Sequence, residues 1–143
     1  MGLIYADIEL INGSDLVLAR QNYIGEEEIR RIEVRALVDT GAMHLTINET
    51  LRDYLGLTIE ERRKGRLADG TVLDLELTGP IMVHFKNRTA LVRAMVLPGD
   101  EEVLLGAIAM EDLDVIIDPV RQELLVNPES PDMAMATLKG FRG

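Results

Sequence analysis

Hydrophobic and polar positions alternate with a period of two along much of the chain, which is the signature of half-buried strands. Ile4, Ala6, Ile8 and Leu10 form the first such run. Asn12-Gly13 suits a tight hairpin turn, so Leu16-Val17-Leu18-Ala19 is expected to return as a strand. Gly25 and the acidic run Glu26-Glu27-Glu28 mark a loop. Ile29, Ile32, Val34, Ala36 and Val38 then carry a strand into Asp39. Leu45-Thr46-Ile47 reads as a short extended segment. Asn48 can cap a short helix that has Leu51 and Leu55 on one face and Gly56 beyond its end.

Leu73, Leu75 and Leu77 alternate with Asp74 and Glu76, and Asp69-Gly70 suits a turn needing positive φ. Residues near 62–77 are therefore expected to form a hairpin, which Gly79-Pro80 breaks. Ile81 to Phe85 and Ala90 to Leu97 predict another strand pair across Lys86-Asn87-Arg88, ending at Pro98-Gly99-Asp100. Residues 107–114 predict one short helix, and Val115 to Ile117 with Glu123 to Val126 the final strands about Asp118-Pro119. Many short strands, regular turns and two short helices make an all-β fold, a closed or partly open barrel. Residues 1–127 are expected to be one domain. The tail 128–143, opened by Pro128 and Pro131 and rich in small residues and Met, is expected to be loosely ordered.

Composition narrows the function. At 47% hydrophobic the chain has enough apolar surface to fold, and at 3% aromatic its core falls to Leu, Ile, Val, Ala and Met. A net charge of −10 argues against a nucleic-acid partner. The basic run Arg62-Arg63-Lys64-Gly65-Arg66 is a local exception, expected to be a solvated strand face with room for acidic substrate side chains. There is no cysteine, hence no disulfide and no thiolate chemistry, which suits a reducing compartment. With no long apolar run and no basic leader before an apolar core, no membrane partner is expected and the location read is cytoplasmic. His44 and His84 lack metal-ligand spacing, so no metal is expected; His44 is read as an exposed histidine, the alternative being that it tunes Asp39 or touches substrate. Phosphate-loop and dinucleotide fingerprints are missing, so no cofactor is expected.

The candidate chemistry is concentrated in Ala36-Leu37-Val38-Asp39-Thr40-Gly41-Ala42. An apolar strand ends here on an acid, a hydroxyl and a glycine. A half-buried carboxylate costs desolvation energy. Gly41 permits a tight turn and close backbone approach. Thr40 offers a hydroxyl able to bond across an interface.

Leu37 to Ala42 resembles the active-site loop of the retropepsin-like aspartic proteases. Leu67-Ala68-Asp69-Gly70-Thr71 resembles the tip of their flap hairpin, and Val103-Leu104-Leu105-Gly106 the apolar pair and glycine behind the catalytic loop. Ala107 to Asp118 resembles the helix and return strand of bacterial members, and the likeness covers roughly residues 4–127. The resemblance implies a retropepsin-like barrel and an aspartic endopeptidase with Asp39 as the catalytic acid. It implies that Thr40 and Gly41 support the loop, and that Ala42, Ala68, Asp69, Gly70 and Thr71 contact a peptide or protein substrate. Leu105 and Gly106 would back the loop. Carboxylate-based peptide hydrolysis needs two acids sharing one proton. The chain has one Asp-Thr-Gly, so the second acid is expected from a homodimer partner. Met43 and His44 stand where retroviral members carry acids, and Ala107 where they carry an arginine. These departures keep open a non-catalytic peptide-binding or assembly module of the same fold.

Overall fold

The computed structural model describes residues 2–136 and 138. Alternation in the first segment becomes β1 (Tyr5–Asn12), with Ala6, Ile8 and Leu10 buried and Asp7 exposed on the opposite face. Then follow α1 (Gly13–Arg20), a 3-10 turn at Glu26–Glu28, β2 (Arg31–Val38), β3 (Leu45–Asn48) and α2 (Glu49–Tyr54). β4 (Ile59–Arg66) and β5 (Val72–Thr78) form a hairpin, followed by β6 (Ile81–Phe85), β7 (Arg88–Val92) and β8 (Ala94–Leu97). β9 (Leu104–Leu105), α3 (Ala107–Leu113), β10 (Val115–Asp118) and β11 (Glu123–Val126) complete the described order.

Nine strands form one curled sheet, an all-β half-barrel, in the order β4-β5-β8-β3-β9-β2-β1-β6-β7. β10 and β11 pair separately as an antiparallel ribbon. Most pairings are antiparallel, but β2 runs parallel to β9 and β3 parallel to β8. The core is filled by aliphatic side chains, among them Leu10, Ile47, Leu55, Leu77, Ile81 and Leu105, each fully buried. Among the described residues no helix is long and apolar enough to cross a membrane.

Two expectations fail. Asn12-Gly13 does not turn a hairpin, and residues 16–19 are not a strand: they lie in α1, so the described helices number three. Both edges of β1 are already occupied, by β2 along Tyr5↔Leu37 to Ile11↔Arg31 and by β6 along Glu9↔His84 to Asn12↔Ile81. No ladder is left for a return strand. Asn12 instead acts as an N-cap, its Oδ1 accepting the Asp15 N–H (3.1 Å) while its Nδ2 donates to the Leu55 carbonyl (2.8 Å). Asp15 is buried and accepts Arg30 Nε and Nη2, both at 2.9 Å, and the Arg30 backbone N–H at 3.0 Å. The Arg30 side chain, as donor, holds the Asp15 carboxyl below its usual value. Second, the strand expected over Ala90 to Leu97 is two strands interrupted at Arg93.

The first helix-capping reading does hold at α2. Asn48 Oδ1 accepts the Leu51 N–H (2.8 Å), and Gly56 follows at φ +61°. A Cβ at Gly56 would also strike the Arg30 guanidinium.

After β11 the chain folds back onto α3. Asp114, the left-handed C-cap of α3 at φ +54°, accepts bonds from Asn127 Nδ2 (3.0 Å), the Ser130 hydroxyl and the Met135 N–H (2.9 Å). Arg88, 1% exposed, donates to the Ser130 carbonyl and lies 3.9 Å from Asp114. Asn87 Nδ2 donates to the Pro131 carbonyl at 2.9 Å. Of the tail, residues 137 and 139–143 lie outside the described residues. The Ser130 hydroxyl, then Asn127 and the Met135 amide, hold the Asp114 carboxyl down at about 2 against an ordinary 3.8. A depressed folded-state value means that this stabilisation is complete above about pH 4 and is lost as pH falls through about 2. Asp114→Ala is therefore expected to lower Tm by several degrees at pH 7, with the gap to wild type closing as the two are titrated toward pH 2. An unchanged Tm at neutral pH, read by circular dichroism, counts against this role.

Candidate active site

β2 delivers Asp39 just past its end, and neighbouring segments hold the strand there on both sides. The Leu37 N–H donates to the Val103 carbonyl (2.8 Å), Val38 N–H to Ile4 (2.8 Å) and Asp39 N–H to Leu105 (3.0 Å). β9 inserts between β2 and β3, pairing Leu37↔Leu104 and Val38↔Leu105 on one side and Thr46↔Leu104 on the other. Past the strand end the chain turns, with the Ala42 N–H donating to the Asp39 carbonyl at 3.2 Å.

The Asp39 carboxylate is half-buried, and its Oδ1 accepts the Gly41 N–H at 2.9 Å. A Cβ at position 41 would stand 3.2 Å from that oxygen, so the glycine leaves the carboxylate its donor without crowding it. Among the described residues no ion pair involves Asp39, so no neighbouring cation neutralises it. Thr40 is exposed and lines a hollow of about 270 Å³ with Ala107, Met110, Val115, Ile117 and Leu124.

Gly106 sits directly behind the loop. Its φ of −91° suits any residue, so conformation does not demand glycine here. Space does: a Cβ would lie 2.5 Å from the His44 carbonyl oxygen and 2.7 Å from that of Ala42, both backbone atoms. Immediately afterwards the first turn of α3 donates Ala107 N–H to the Ala42 carbonyl (2.8 Å) and Ile108 N–H to that of Met43 (3.0 Å). Free N–H groups at a helix start thus clamp the far side of the loop. The sequence reading named Leu105 and Gly106 here but missed these two amides, whose role needs no particular side chain.

Ala68, Asp69, Gly70 and Thr71 form the exposed tip of the β4–β5 hairpin. The Leu67 N–H bonds to Thr71 O (2.8 Å) and the Gly70 N–H to Leu67 O (2.9 Å), leaving a three-residue loop in which Gly70 takes φ +89°. Asp69 Oδ1 accepts the Thr71 N–H at 2.8 Å. No hydrogen bond among the described residues joins this tip to the Asp39 loop. Three of the basic residues on β4 are paired: Arg62 with Glu76, Arg63 with Glu61 and Lys64 with Asp74.

His44 is half-buried rather than exposed. Burial, and then Arg63 and Arg93, push its imidazole below the ordinary value, while Glu61 pulls the other way. Leu45 pairs with Ala94 in the parallel β3–β8 ladder, so His44 and Arg93 stand side by side at the strand starts. This neighbourhood was not foreseen. The only sign of it in the sequence was the charge of Arg93 inside an apolar run.

A search of curated proteins returns no match to the chain. A family model, described as gag-polyprotein putative aspartyl protease, matches residues 26–112, well over half of the chain. That span begins at the 3-10 turn and takes in the Asp39 loop, the β4–β5 hairpin, the backing Gly106 and nearly all of α3. The chain belongs to this retroviral-type aspartyl protease family.

Proposed function

We propose that the chain is an aspartic endopeptidase acting as a homodimer, a bacterial-type member of its family working in the cytoplasm. Asp39 of each copy meets its twin across a twofold axis with a water between them. Carboxyls roughly 3 Å apart share one proton. The ionised acid takes a proton from the water, whose oxygen adds to the scissile carbonyl carbon, while the protonated acid gives its proton to the carbonyl oxygen. Collapse of the tetrahedral adduct breaks the C–N bond, and the amine leaves with a proton returned from the pair. Thr40 and Gly41 keep the paired loops in place. Ala42 and the flap tip Ala68 to Thr71 hold the substrate as an extended strand.

The observation that carries this reading is the Asp39 carboxylate itself: half-buried, oriented by the Gly41 amide and paired to no cation. A carboxylate kept in that condition is available to a second one. The lack of cysteine suits the reducing compartment proposed. The test is cleavage of a broad peptide library between mildly acidic and neutral pH as protein concentration is raised. Specific activity is expected to climb and then level off as dimers saturate. A strict monomer by sedimentation with undiminished activity contradicts the shared site. No cleavage at any concentration leaves a peptide-binding module of the same fold.

A further inference from the structure

Beside the Asp39 loop lies a hollow of about 190 Å³ lined by His44, Leu45, Leu91, Val92, Arg93 and Ile108. It is smaller than the roughly 300 Å³ at which small-molecule sites begin, a size for one side chain. Three features tie it to the segment that follows Asp39. His44 is continuous with the Asp39 turn. The Ile108 N–H is bonded to the Met43 carbonyl at 3.0 Å. Leu45 and Arg93 flank the start of the β3–β8 ladder.

Its chemistry is uneven. Leu45 is fully buried and forms an apolar floor, and Leu91 and Ile108 present exposed apolar walls. At the rim Arg93 Nη1 donates to Glu61 Oε2 at 3.0 Å. The same carboxylate also takes Arg63, through Nε at 2.9 Å and Nη2 at 3.3 Å. Two guanidiniums on one carboxylate leave a positive charge over, on a chain whose net charge is −10. Burial first, and then Arg63 and Arg93, disfavour the proton on His44, while Glu61 favours it. Arg93 keeps further N–H groups beyond the one given to Glu61, and its side chain is 38% exposed.

The geometry points to a specificity subsite for an acidic side chain of the substrate, its methylenes against Leu45, Leu91 and Ile108 and its carboxylate on Arg93. Glutamate fits this description better than aspartate, because the apolar floor lies below the charged rim. The inference rests on the peptide-hydrolase reading above, so its test includes binding as well as cleavage.

The probes are pools of short random peptides with one position fixed as Glu, Gln or Lys, that position being moved along the peptide. Binding is measured on Asp39→Asn protein and cleavage on wild type. At one position the Glu pool is expected to exceed the Gln pool by about tenfold, the range of one charge-assisted hydrogen bond. Arg93→Gln should bring that ratio to near one, and Arg93→Lys should keep it above one. Leu91→Asp, at a residue 57% exposed and so harmless to folding, should also erase it by setting a negative charge at the mouth. A Glu-to-Gln ratio of one at every position, an acid preference untouched in both Arg93→Gln and Leu91→Asp, or no binding of any pool overturns the subsite. Glu-selective binding without cleavage by wild type keeps the subsite and removes the protease.

Discussion

Asp39→Asn is expected to lower kcat by about four orders of magnitude or more, as loss of an essential catalytic group does. Stability should change by less than about 0.5 kcal/mol, because the amide oxygen of Asn can still accept the Gly41 N–H. The proposed pairing of two identical acids predicts a second readout that a single-chain site could not produce. Mixed in equal amounts with wild type and allowed to exchange, the variant should leave about one quarter of all dimers with two acids. Specific activity per wild-type molecule should therefore fall to about half that of wild type alone. Activity that follows wild-type concentration linearly, indifferent to added variant, contradicts a composite site. Full activity in Asp39→Asn alone removes carboxylate catalysis altogether.

The second large effect is expected at Gly106→Ala. The new methyl would meet the carbonyl oxygens of His44 at 2.5 Å and Ala42 at 2.7 Å. These are backbone atoms, so no rotamer change relieves the contact. Either β9 retreats from β2 or the loop after Asp39 is pushed outward, and both movements stretch the Ala107-to-Ala42 and Ile108-to-Met43 bonds. Overpacking of this kind costs about 3 kcal/mol, a Tm lower by about 10 °C in a chain of this size. Displacement of the loop by even 1 Å should cost kcat/KM about a hundredfold in the molecules that remain folded. Gly70→Ala makes an informative contrast. Gly70 requires positive φ but has open space around it, so its replacement should cost only about 1 kcal/mol of backbone strain. Equal losses in the two variants, measured by thermal melts, would mean that close approach is not what distinguishes them.

Features that rest on neighbouring residues in the chain were legible in the sequence. Alternating leucines and Asp69-Gly70 announced the β4–β5 hairpin, and Asn48 with Gly56 bounded α2. The strand running into Asp39 was equally plain, since its apolar residues end where the turn residues begin. Features decided by distant residues were not. Asn12-Gly13 is compatible with a hairpin turn and with a helix cap. The choice fell to β6 and Arg30, both many residues away. Arg93, where the strand is interrupted, finds its partner Glu61 thirty-two positions earlier. Asp114 carried no sequence signal of the three donors that converge on it, because two of them belong to the returning tail. At the site, the carboxylate and glycines could be named by residue type. The backbone amides of Ala107 and Ile108 could not, since any residue but proline supplies them.

The insertion of β9 between β2 and β3 has a bearing on biosynthesis. Leu104 and Leu105 reach Leu37 and Val38 across more than sixty intervening residues, a non-local contact of the sort that forms late in folding. While the chain emerges from the ribosome, the segment bearing Asp39 is complete long before its brace exists. In a chain of this design the Asp39 loop stays unbraced until Leu104 and Leu105 have been translated and have threaded home.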